Sequence, residues 1–162
     1  MTEQVKLVAL AGNPNVGKST VFNSLTGLRQ HTGNWPGKTV EAARGSYRYR
    51  DITFQLVDLP GTYSLLACST EEEAATATIC QSDQELTVIV VDATCLERNL
   101  SLALQILRFT KHAVLCVNLI DEARKRSIHI DFPLLSSLLG IPVVATSAGS
   151  GKGIPNLRES IY

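Results

Sequence analysis

Residues Gly12-Asn13-Pro14-Asn15-Val16-Gly17-Lys18-Ser19 match the pattern G-x-x-x-x-G-K-[ST]. Gly12 and Gly17 let the backbone curl around an anion, so that successive N–H groups point inward. A helix opening at Lys18 adds the positive end of its dipole. Lys18 has the reach for the β- and γ-phosphates of a nucleotide, and the Ser19 hydroxyl is a ligand for Mg2+. Asn13, Asn15, Val16 and Thr20 complete the set expected around the nucleotide. The alternative is a glycine turn beside a surface lysine, and the order strand, loop, helix speaks against it.

Asp58-Leu59-Pro60-Gly61 follows an apolar strand pattern. Alone it reads as a turn. Beside a phosphate loop, Asp58 is placed to hold a water of the Mg2+ shell, and the Gly61 N–H to contact a γ-phosphate. Between these two motifs, residues 30–38 are polar and show neither a helical nor a strand period. Such a loop closes over a nucleotide when a threonine hydroxyl binds Mg2+; by chemistry alone both Thr32 and Thr39 qualify. Trp35 in the same loop is open to two roles, an exposed docking residue or a lid over the core.

Asn118-Leu119-Ile120-Asp121 follows another apolar run. A carboxylate at Asp121 accepts both hydrogen bonds from guanine N1–H and the exocyclic amine, a donor pair that adenine lacks. Asn118 can brace the loop and meet the base edge. Ala145-Thr146-Ser147-Ala148 follows the last strand pattern, and a free Ala148 N–H would bind guanine O6.

Placing these groups together demands a particular set of elements. Residues 5–11, 86–92, 113–117 and 142–146 read as strands, and 18–26 as a helix. Residues 40–49 and 51–58 read as two strands joined by a tight turn, the first polar and alternating as an edge strand is. Leu96, Leu100, Ala103, Leu104 and Leu107 share one helical face. Ser69-Thr70-Glu71-Glu72-Glu73 offers a capping box for a helix through Ile79. Asp131 caps a helix to Leu139, with Pro133 in its first turn and Gly140 ending it. A last helix starts near Ile154 and reaches Tyr162. This alternation predicts an α/β fold: a six-stranded, mostly parallel sheet with one antiparallel edge strand and helices on both faces. In such sheets ligands bind at the carboxyl ends of the strands, where every motif above falls.

Composition agrees. Of 162 residues, 44% are hydrophobic, sufficient for a core. Lys and Arg number 15, as do Asp and Glu, which argues against a strongly basic nucleic-acid module. No apolar run approaches the roughly 20 residues that span a bilayer, and the first residues carry no signal-peptide pattern. The chain is expected to be soluble and cytosolic. Cys68, Cys80, Cys95 and Cys116 are widely spaced, without a C-x-x-C pair, so neither a disulfide framework nor a zinc site is expected. Cys116, in an apolar run, reads as a buried small hydrophobe.

In this order the motifs resemble the Ras-like GTPase domain. Gly12-Asn13-Pro14-Asn15, then His31-Thr32-Gly33-Asn34-Trp35-Pro36-Gly37-Lys38-Thr39-Val40-Glu41, then Asp58-Leu59-Pro60-Gly61-Thr62-Tyr63-Ser64-Leu65 are similar to the G domain of the FeoB family of bacterial ferrous iron transport proteins. The resemblance covers nearly the whole chain. It implies GTP and GDP as ligands with Mg2+, Lys18 and Ser19 on phosphate and metal, and Thr39 rather than Thr32 as the switch I threonine on Mg2+. It implies Gly61 in switch II, and Asn118, Asp121, Ser147 and Ala148 on guanine. It further implies K+ at Asn15, with carbonyls near Asn34 and Trp35 completing the shell; bracing of the loop by the Asn15 amide is the alternative. Lys18, Asn15, Thr39 and Gly61 are then the catalytic set.

Two departures stand out. Leu119 replaces the lysine of the general Asn-Lys-x-Asp pattern, as is usual in the resembled family, and Lys38 sits where that family often has an apolar residue. The glutamine that often follows Asp-x-x-Gly in Ras-like GTPases is here Thr62, then Tyr63, and no arginine finger is identifiable, Arg29 and Arg44 reading as surface charges. Slow GTP hydrolysis is therefore expected. Full-length members continue into a helical regulatory domain and a membrane domain. Residues 1–162 are accordingly expected to be a single G domain truncated before both partners, on the cytoplasmic side of the bacterial inner membrane, with homo-oligomerisation left open. Two other readings are a ribosome- or tRNA-modification-associated GTPase and a GTP-dependent binding module without useful hydrolysis.

Overall fold

The computed structural model describes residues 4–27, 30–34, 41–66 and 86–162. Among them β1 (Gln4–Gly12) leads into α1 (Lys18–Thr26), followed by β2 (Gln30–Asn34), β3 (Glu41–Tyr49) and β4 (Ile52–Asp58). Then come β5 (Leu86–Asp92), a 3-10 turn (Ala93–Cys95), α2 (Leu96–Leu107), β6 (Ala113–Asn118) and α3 (Ile120–Lys125). The chain continues through α4 (Phe132–Leu139), β7 (Val143–Ala145), a second 3-10 turn (Ala148–Ser150) and α5 (Ile154–Ile161). The helix expected between Ser69 and Ile79, with Cys68 and Cys80, lies outside the described residues.

Apolar β-branched runs make β5 and β6 interior strands, β6 being buried along its whole length, because helices cover both faces of a parallel sheet. The Asp131 side chain accepts a hydrogen bond from the Leu134 N–H at 2.9 Å, the expected N-cap of α4, and Gly140 closes the helix with a φ of 69°. Arg50 takes a φ of 54° in the turn joining β3 to β4, where the tight connection requires it.

The described strands form one seven-stranded sheet in the order β2-β3-β4-β1-β5-β6-β7. The fold class agrees with expectation, and two details do not. The strand count rises from six because Gln30–Asn34, read from sequence as a loop, pairs antiparallel with β3 from Gln30–Gly45 to Asn34–Glu41. A polar edge strand needs backbone hydrogen bonds rather than an apolar face, so periodicity does not reveal it. In consequence β3, antiparallel to both neighbours, is the one reversed strand but does not form the edge.

Two apolar layers sandwich the sheet. On one face α1 and α5 contribute Val21, Phe22, Leu25, Ile154, Leu157 and Ile161. On the other lie Leu102, Ala103 and Ile106 of α2, with Ile120 and Ala123 of α3. The expected α2 face holds except at Leu104: Ala103 and Leu107 are buried and Leu96 and Leu100 pack against the core, whereas Leu104 is 53% exposed. Leu102 and Ile106 join the buried face, each contributing roughly 1.5–3 kcal/mol on full burial. Register aligns the carboxyl ends of the central strands: Leu10 lies beside Asp58, Gly12 beside Val90, and Asp92 beside Asn118.

Candidate nucleotide-binding site

At these strand ends the chain leaves β1 and curls through residues 13–17 into α1. Asn15 and Gly17 both adopt left-handed backbone, with φ of 63° and 82°, which asparagine tolerates and glycine favours. At Gly17 a side chain would also collide with Asn118 Nδ2. The loop lines a cavity of about 350 Å3 with Asn13, Pro14, Asn15, Gly17, Lys18, Ser19 and Gly61, within the size range of small-ligand pockets. Val16 turns its side chain into the core, Thr20 is exposed on the first turn of α1, and Asn13 Oδ1 is buried with no hydrogen-bond partner. Among the described residues the Asn15 side chain is exposed and has no hydrogen-bond partner, and its backbone is left-handed.

Asp58 ends β4 opposite this loop. Its carboxylate pairs with the Lys18 ammonium and lies 3.3 Å from Ser19 Oγ. The segment that follows is tied to the loop, the Thr62 N–H donating to the Gly12 carbonyl at 3.1 Å. Gly61 packs so close that an added Cβ would stand 3.0 Å from the Pro14 backbone. Thr62 is buried and its hydroxyl donates to the Ser64 carbonyl at 3.1 Å. Ser19 Oγ and Asp58 thus form a hard-oxygen pair that fits Mg2+. Thr39, Trp35 and residues 35–40 as a whole lie outside the described residues. Asn34 and Thr32 belong to β2.

The second loop pair is stitched by one buried side chain. Asn118 Nδ2 donates to the Val16 carbonyl at 3.1 Å. Its Oδ1 accepts from Thr146 Oγ1 at 3.0 Å and from the Ala148 N–H at 3.1 Å. The expected free Ala148 N–H is therefore engaged: the buried Asn118 oxygen must be satisfied, and Ala148 is its neighbour. Leu119, with a φ of 63°, turns the chain sharply from β6 into α3. That turn projects Asp121 from the first turn of α3. The Ser147 hydroxyl donates to Asp121 Oδ1 at 3.1 Å and accepts from the Asp121 N–H at 3.2 Å. Desolvation raises the Asp121 pKa, but the Ser147 hydroxyl, the Glu122 and Asp121 amides and the Lys125 charge outweigh it. The carboxyl is held below the usual aspartate range and stays a full acceptor near neutrality.

Sequence reasoning gave Thr146 no role, yet its hydroxyl bridges Asn118 and Cys116, 3.2 Å from the Cys116 sulfur. The position of Thr-Ser after a buried strand was the available signal. It also missed Gln105, whose amide oxygen accepts from Ser64 and Leu65; nothing local distinguishes a glutamine on a helix. A larger cleft, about 900 Å3 between the start of α2 and residues 128–130, contains none of the sequence-derived site residues.

The sheet order, the loop entering α1 and the paired loops after β6 and β7 define a G domain of the Ras-like P-loop class. A family model described as "Ferrous iron transport protein B" matches residues 6–161. The Fe(2+) transporter FeoB of Salmonella typhimurium strain LT2 is 45% identical over 158 residues, 95% of this chain and 20% of the relative. The crystal structure of the G domain of the T. maritima FeoB iron transporter superposes with a TM-score of 0.87 at 44% identity, over 98% of this chain and 97% of that one. The cytosolic domain of the same transporter in a GDP form gives 0.88 at 42% identity, over 98% and 62%. The chain belongs to the FeoB family. It spans about a fifth of the length of the curated relatives it matches, and no helix among the described residues is long and apolar enough to cross a membrane.

Proposed function

We propose that this chain binds GTP and GDP with Mg2+ and hydrolyses GTP slowly, as the G domain of a ferrous iron transporter. The observation that carries this is the convergence of Lys18, Ser19 and Asp58 at one end of a cavity whose loop is joined, through Asn118, to the Asp121–Ser147 pair. Backbone N–H groups of Asn13 and of residues 15–18 cradle the phosphates. Lys18 exchanges Asp58 for the β- and γ-phosphates, which frees Asp58 to face the metal shell with Ser19 and Thr39. Mg2+, when bound, neutralises charge between the β- and γ-phosphates. Gly61 donates its N–H to the γ-phosphate. Asp121 accepts from guanine N1–H and the exocyclic amine, and Ser147 holds it in place. Because the Ala148 N–H already serves Asn118, it meets guanine O6 only as a shared donor.

No glutamine follows Gly61, and the Thr62 hydroxyl is committed to Ser64; hence the slow turnover. Asn15 faces the phosphates with an uncommitted amide oxygen, which suits K+. K+ there, when bound, supplies the positive charge an arginine finger would bring. In the parent protein residues 1–162 form one G domain, followed by helical regulatory and membrane domains, and its nucleotide state regulates or drives Fe(II) uptake at the inner membrane. The extent of the family match disfavours a ribosome- or tRNA-associated GTPase.

The test is single-turnover GTP hydrolysis with Mg2+ in KCl and in NaCl at equal ionic strength, for the parent chain and Asn15→Ala. The proposal requires K+ stimulation that the substitution abolishes while GDP affinity is kept. Identical rates in the two salts rule out the K+ site, and absence of Mg2+-dependent turnover rules out the hydrolase.

A further inference from the structure

Residues 61–66 follow β4 without regular secondary structure, so their backbone groups need partners elsewhere. At one end the Thr62 N–H is bonded to the phosphate loop through the Gly12 carbonyl. At the other, the buried Leu65 side chain sits in the core and one glutamine oxygen serves two donors. Gln105 Oε1, on α2, accepts from the Leu65 N–H at 2.7 Å and from Ser64 Oγ at 3.1 Å. Ser64 Oγ in turn accepts from the Leu66 N–H at 3.1 Å. Leu65 is 4% exposed, whereas its neighbours Tyr63 and Leu66 are 64% and 69% exposed. The segment is therefore pinned at two points and open between them. Beneath the second point α2 is anchored by Leu102, Ala103 and Ile106, each no more than 1% exposed.

We propose that Gln105 is the positioning residue of switch II, holding the 61–66 segment in the register at which the Gly61 N–H meets a γ-phosphate. The inference rests on the functional reading above. Gly61 lies close against Pro14, so loosening the Ser64–Leu65 end by removing the Gln105 acceptor shifts Gly61 relative to the phosphate loop. The effect belongs to the γ-phosphate alone: GDP contacts the loop and the guanine pair, which Gln105 does not touch. What matters is an oxygen acceptor at this place. Glutamate supplies one, and methionine fills the volume without it.

The experiment is calorimetric titration of the chain with GDP and with a non-hydrolysable GTP analogue, both with Mg2+, for the parent, Gln105→Met and Gln105→Glu. Gln105→Met is expected to weaken the analogue about tenfold, the scale of one to two net hydrogen bonds, and to leave GDP within about twofold, while Gln105→Glu restores the analogue. Equal weakening of both ligands, or of neither, overturns the proposal, as does failure of the glutamate to rescue. If Gln105→Met does not fold, Ser64→Ala removes one of the two bonds to Gln105, together with the exposed Leu66 N–H bond to Ser64 Oγ, and must shift the analogue in the same direction but leave GDP unchanged. A parent chain that binds no guanine nucleotide overturns the functional reading instead.

Discussion

Asn118 serves both loops at once because its carboxamide is both donor and acceptor. Val16 takes its N–H, and Thr146 and Ala148 share its oxygen. Asn118→Ala would leave the Val16 carbonyl and the Ala148 N–H without this partner, at about 1–3 kcal/mol each before relaxation, and the Thr146 hydroxyl with Cys116 alone. A fall in unfolding temperature with loss of nucleotide affinity is expected, and calorimetry checks both. Thr62 is the contrasting case. Its hydroxyl is committed to Ser64, so Thr62→Ala should cost about 1 kcal/mol of stability and leave single-turnover hydrolysis within about threefold of the parent; a hundredfold loss with unchanged GTP binding would make Thr62 the water-positioning group. Burial pushes the Cys116 thiol up to about 12, only partly offset by the Thr146 hydroxyl. At pH 8 it stays protonated, so mass spectrometry after iodoacetamide treatment should find Cys116 alkylated only in denaturant.

At the scale of elements, the far end of the β3–β4 hairpin is fastened to α5. The Arg50 guanidinium reaches both Glu159 oxygens through Nη2, at 3.0 and 2.9 Å, and stands 4.5 Å over the Tyr162 ring. The Tyr49 hydroxyl donates to the same carboxylate. This hydrogen bond, with the Arg50 charge, outweighs desolvation and lowers the Glu159 pKa. A lowered folded-state value means the tie is complete above the unfolded glutamate value, about 4.3, and is lost as pH falls through the lower folded value. Glu159→Gln should therefore lower the melting temperature at pH 7, and the gap to the parent should close in melts taken progressively below about pH 4. Elements of this kind were unevenly legible. The strands β5 and β6 and the α4 cap announce themselves through β-branched runs and Asp131-Phe132-Pro133. β2 does not, since an edge strand of Gln30-His31-Thr32-Gly33-Asn34 is held by its ladder. On α2 only Leu104 departs from the expected face, because Leu104 and Leu102 are both apolar and only the packing shows which turns inward.

At the scale of the whole molecule, the sheet brings loops 100 residues apart in sequence to one rim, and that juxtaposition was readable because each motif ends a strand. What sequence could not give were the pairings across the rim, Lys18 with Asp58 and Ala148 with Asn118, which depend on distances that only the folded chain sets. On the proposed function, this rim selects guanine through Asp121. The most direct measurement is calorimetric titration of the parent and Asp121→Asn with GDP, XDP and ADP in the presence of Mg2+. Replacing the carboxylate with an amide turns a pair of acceptors into a donor and an acceptor, which matches xanthine rather than guanine. The parent should bind GDP and discriminate against ADP by at least about a hundredfold, and Asp121→Asn should lose GDP and gain XDP. A parent that binds ADP as tightly as GDP, or a variant that keeps GDP and gains nothing for XDP, would contradict it.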